Sequence, residues 1–60
     1  MEARLLSTKE AAIYLNLHPQ TIYTMAIGGE LPSLKIGKSR KFDKVSLDEW
    51  IKNKQEERHD

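Results

Sequence analysis

Sixty residues with a net charge of +1 make one small domain, too short to hold both a packed core and a catalytic cleft of several hundred cubic ångströms. The absence of cysteine excludes disulfides and cysteine–zinc sites, and no apolar run approaches the ~20 residues of a membrane span. The composition therefore predicts a non-enzymatic, soluble, cytoplasmic module with no cofactor, metal or small-molecule ligand and no membrane partner, and MEARLLSTKE does not read as a signal peptide.

The first element begins at Ser7-Thr8-Lys9-Glu10, which fits a capping box with Leu6 and Ala11 as a hydrophobic staple. Ala11, Ala12 and Leu15 share a face at helical spacing, so a helix is predicted from about Thr8 to Leu15. Asn16 tolerates positive φ and is the expected terminator, with Leu17 packed inward beyond it. A second helix restarts at His18-Pro19, because proline at the first helical position lacks only an amide that would be unpaired anyway. Its inward stripe is Ile22, Met25 and Ala26, and Gly28-Gly29 ends it. Two short helices across a turn of about three residues have the spacing of a helix-turn-helix.

Glu30-Leu31-Pro32 connects to a hairpin. Leu34 and Ile36 alternate with Ser33, Lys35 and Gly37, as in a half-buried strand, and Gly37-Lys38-Ser39 supplies the turn before Arg40-Lys41-Phe42 returns. A third helix starts between Asp43 and Ser46, either of which can cap it, with Leu47, Trp50 and Ile51 as its buried stripe. Nothing apolar follows Ile51. The helix is expected to fray from Lys52, dividing the chain into a domain of residues 1–51 and a polar tail of residues 52–60 whose Glu56, Glu57 and Asp60 are solubilising charge.

Charge is unevenly placed. Between Leu31 and Lys44 stand Lys35, Lys38, Arg40, Lys41 and Lys44 against Asp43 alone, a local charge of +4, whereas the rest of the chain carries −3. One edge is therefore suited to a polyanion, and its rival is an ordinary solvated loop. With Ile22, Met25 and Ala26 inward, the second helix presents Gln20, Tyr23, Thr24 and Ile27 outward. Gln20 can pair with adenine, Thr24 and Ile27 can meet a thymine methyl, and Tyr23 and His18 can bond phosphate near the helix N-terminus. His18 serves equally as a cap, Tyr14 as a core edge, Trp50 as core, and His59 lies in the tail away from any metal-site partner. No carboxylate pair, Ser/His/Asp set or phosphate-binding glycine loop stands at catalytic spacing.

The segments LLSTKEAAIYLNL, HPQTIY, GGELPSLKIG, RKF and LDEWI, in that order over Leu5 to Ile51, resemble the excisionase-like branch of the MerR superfamily of winged helix-turn-helix proteins. The resemblance implies a mostly α fold with three helices and a two-stranded wing. It also implies a DNA-binding face made by His18, Gln20, Thr21, Tyr23, Thr24 and Ile27 of the second helix, set in the major groove, and by Lys35, Lys38, Ser39, Arg40 and Lys41 of the wing. His18 stands where Ser is common in the family, and the second helix holds no Arg or Lys. Guanine readout is accordingly not expected of this helix; selection should lean towards A·T or shape, with affinity from the wing. Two jobs fit: an architectural recombination directionality factor that bends DNA beside an integrase, on repeated sites with further copies of itself, or a small transcription regulator or DNA-targeting module. The apolar stripe ends at Ile51, so the long dimerisation helix and effector domain of full MerR regulators are not expected, which favours the first. A protein-interaction winged helix is the alternative from another class, for which a basic wing has no use.

Overall fold

Ser7 opens the first helix as a complete capping box: its Oγ accepts from the Glu10 amide at 3.1 Å, and its own amide donates to Glu10 Oε1 at 2.8 Å. In the computed structural model, which describes residues 4–57, the chain runs β1 (Leu5–Leu6), α1 (Thr8–Leu15), α2 (Pro19–Ile27), β2 (Leu34–Ile36), β3 (Ser39–Asp43) and α3 (Lys44–Glu57). α1 stops where Asn16 turns left-handed at φ 59°, with the amides of Asn16 and Leu17 bonded back to Ile13 and Ala12. This closure leaves the Leu17 side chain 41% exposed, not packed inward as its apolar character predicts. α2 unwinds over Gly28 and Gly29, the latter at φ 82°, a conformation that side chains disfavour.

The three helices accompany an antiparallel sheet in the order β1-β3-β2, the architecture of a winged helix-turn-helix. The wing is the expected hairpin of β2 and β3, with Ile36 opposite Ser39. Ser39 is thus paired in β3 and only Gly37 and Lys38 make the turn. Gly37 alone of the two has positive φ, the pattern of a type II′ turn that suits the twist of a hairpin. The sheet has a third strand that the sequence pattern does not announce: Leu5 pairs with Asp43 and Leu6 with Phe42.

The core is Ala11, Ala12, Ile22, Ala26, Leu31, Phe42 and Leu47, with Leu6, Leu15, Met25 and Trp50 packed against it. The small Ala11 and Ala12 allow α1 to lie close to α2 and β3, both of which it contacts. Leu31, read from sequence as mere connector, is 2% exposed and anchors the passage from α2 to the wing.

Three expectations need correction. β2 is exposed along its length, with Leu34 at 47% and Ile36 at 52%, because β2 is an edge strand whose apolar face has no element over it among the described residues. In α3, Leu47 is fully buried, but Trp50 and Ile51 are only half-buried. Nor does α3 fray at Lys52: it continues to Glu57, since Lys, Gln and Glu are good helix formers that need no core. His59 and Asp60, and the side chains of Glu56 and Glu57, lie outside what the structure describes. No helix among the described residues is long and apolar enough to cross a membrane.

Candidate nucleic-acid interface

α2 is positioned from inside. Ile22 is fully buried, Ala26 nearly so, and Met25 half-buried against the core. At 3.6 residues per turn, Gln20, Thr24 and Ile27 point directly away from Ile22 and Ala26, with Tyr23 and Thr21 on the two flanks. All five are exposed, Tyr23 to 46% and Ile27 to 57%. The outward face of α2 is thus one contiguous, uncharged surface of amide, hydroxyls and an aliphatic group.

His18 resolves as the N-cap of α2: its Nδ1 accepts from the Gln20 amide at 3.0 Å. An accepting Nδ1 carries no proton, so Nε2 is the nitrogen left for an outside partner. The cap and a phosphate contact are therefore compatible uses of one ring.

Strand alternation divides the wing into two faces. Phe42, fully buried, turns one face towards the helices; Arg40, two residues before it, and Lys35, opposite Arg40, share that side. Ser39, Lys41, Leu34 and Ile36 belong to the other. Arg40 is half-buried, and its Nη1 donates to Ser33 Oγ at 2.8 Å. Lys35, Lys38 and Ser39 are exposed and Lys41 half-buried. The five wing residues predicted as a cluster therefore do not form one surface: Lys35 and Lys38 are accessible cations, Arg40 is engaged with Ser33, and Lys41 faces the opposite way from Lys35.

Asp43 moors the wing. Arg4 donates from Nε to Asp43 Oδ1 at 2.6 Å and from Nη2 to Oδ2 at 3.3 Å, and the same carboxylate accepts from the Ser46 amide and hydroxyl at 3.3 and 3.0 Å, which makes it the cap of α3 in preference to Ser46. Arg4 and Ser46 together hold the Asp43 carboxyl below its ordinary pKa, against the opposing effect of burial, and the Arg4 guanidinium is raised in return. On the far side, Tyr14 of α1 donates its hydroxyl to Asp48 of α3, which raises the phenol pKa, and Lys44 lies 5.6 Å from the Tyr14 ring centre. Trp50 donates Nε1 to the Glu30 carbonyl at 2.9 Å, clasping the connector. The Asp43 cap is local and follows from patterning, but the Arg4–Asp43, Tyr14–Asp48 and Trp50–Glu30 ties join residues distant in sequence, so local patterning does not disclose them.

The arrangement is an uncharged helix face and a separate cationic hairpin, both packed on α1 and the core around Phe42. Residues 5–55 match a family model described as a helix-turn-helix domain. No curated protein and no solved structure matches the chain.

Proposed function

Because the chain belongs to the helix-turn-helix domain family, we propose that it binds DNA, setting α2 in the major groove of the duplex and laying its wing on the flanking backbone. The observation that carries this reading is the outward face of α2, exposed from Gln20 to Ile27 on a helix whose other side is locked into the core. In it Gln20, Thr24 and Ile27 meet base edges, favouring adenine and the thymine methyl, while Thr21, Tyr23 and the free Nε2 of His18 bond phosphates. Lys35 and Lys38 supply sequence-independent attraction, Ser39 and Lys41 line the wing's other face, and Arg40, engaged with Ser33, holds the hairpin in shape. The DNA-binding unit is assigned to residues 1–51 and residues 52–60 to a polar extension.

The biological role is that of an excisionase-like, MerR-related architectural factor, acting in the cytoplasm on the nucleoid, beside a recombinase or further copies of itself. Support comes from the ordered segments LLSTKEAAIYLNL, HPQTIY, GGELPSLKIG, RKF and LDEWI and from a small footprint of about 600–1,000 Å², which gives a lone module limited affinity. The test is selection from random duplexes, then binding of the selected site in circularly permuted probes. An A·T-leaning site and a position-dependent mobility are expected. A selected site bound without bending points to the small regulator, and absence of duplex binding in low salt rejects the reading.

A further inference from the structure

The wing carries an apolar side chain that the phosphate-binding role leaves unused. Ile36 is the last residue of β2, 52% exposed, beside a turn whose Gly37 has open space around it. By register it shares a face with Ser39 and Lys41, and Lys38 follows it in the turn. Leu34, behind it on the same face, lines a shallow groove with Leu5 and Pro32. A lone exposed isoleucine is ordinary on a protein surface. This one lies between the exposed Lys38 and the half-buried Lys41 on its own face, so a polyanion held by both would cover it. Between adjacent phosphates of a DNA strand the surface is the C–H face of deoxyribose, which is apolar.

We infer that Ile36 is a DNA contact, packing on the deoxyribose between phosphates held by Lys38 and Lys41, so that the wing binds by apolar burial as well as by charge. This rests on the DNA-binding reading above and adds to it a residue and a kind of contact. It also accounts for an aliphatic group on an edge strand where a charged one would protect better against pairing with other chains.

The test compares Ile36→Thr, which keeps the β-branch that suits a strand, with Ile36→Leu and Lys38→Ala, in salt titrations on the selected duplex. Ile36→Thr should bind about tenfold more weakly at every salt concentration, the loss expected for roughly half an aliphatic side chain's burial. Its salt slope and melting temperature should match the wild type, since neither a charge nor a core residue has changed. Ile36→Leu should restore most of the affinity. Lys38→Ala should instead lower the slope by about 0.9. If Ile36→Thr binds like wild type while Lys38→Ala loses slope, the wing touches phosphate but turns Ile36 away, and this inference alone falls. If the wild-type protein binds no duplex, the DNA-binding reading falls and takes this one with it.

Discussion

α2 and the wing face the same proposed ligand but are built on opposite terms. α2 is held by Ile22, Ala26 and Met25, so its outward residues have fixed positions, yet from Pro19 to Ile27 it carries no charge. The wing has accessible cations at Lys35 and Lys38, yet β2 is exposed throughout and only Phe42 and Leu6 tie the sheet into the core. Precision lies where burial supplies it, and long-range attraction lies where solvent leaves side chains free to move. Affinity and selectivity are thereby assigned to different elements and should respond to different mutations.

The harshest way to break that separation is Phe42→Ala. Phe42 is fully buried where β3 meets the helices, and its truncation should cost about 3–5 kcal/mol. That is a large part of the total stability of a small domain, so both regions should be lost together in a thermal melt. Survival of α2 with only the wing disordered would mean that the two fold independently. Within the folded protein, replacing Lys35 and Lys38 together by Ala should weaken binding on every sequence and reduce the slope of log K against log salt by about 1.8. Gln20→Ala or Thr24→Ala should leave that slope intact and narrow the gap between selected and scrambled duplex by about 1–3 kcal/mol. A wing variant that changed selectivity, or an α2 variant that changed the slope, would overturn the division.

Smaller effects sharpen it. Trp50→Phe keeps the packing and removes the indole donor to the Glu30 carbonyl, so about 1 kcal/mol of stability should go, with no change in salt slope. Asp43 contributes least, through pH. Its folded pKa lies below the ordinary 3.8, so its stabilisation is complete above that value and is lost as pH falls through the depressed one. The melting temperature should decline on acidification below about pH 4. Asp43→Asn should be less stable near neutrality and flatter in the acid range; an unchanged acid limb would show that other carboxylates govern it.

What the sequence discloses and what it hides follow one rule. The Ser7–Glu10 box, the Asn16 terminator, Pro19 at the start of α2 and the Gly37 turn are settled within a few residues of chain, and each appears as patterned. Leu34 and Ile36 mark the limit: alternation tells that a strand has two unlike faces but not that anything covers the apolar one. Leu17 fails likewise, because the left-handed Asn16 redirects the chain. β1 is only two residues long and exists because β3 is there to pair with it. For the candidate interface, the outward residues of α2 were legible from periodicity. The engagement of Arg40 by Ser33 and the two-faced wing needed the register.

The placement of β3 between β1 and β2 has a consequence for assembly during synthesis. α1 and α2 involve only local pairing, which is fast to form, but at eight and nine residues neither persists without tertiary packing. Leu5 and Leu6 must wait for Asp43 and Phe42, their partners in the register and more than thirty residues further along the chain, and the Arg4–Asp43 ion pair spans 39. Closing such a loop is slow relative to helix formation. Ala11, Ala12 and Ile22 are covered only once β3 and Leu47 join them in the core. The protein acquires its wing and its core in the same late event, so incomplete chains should be marked for degradation by exposed apolar surface before they can occupy DNA.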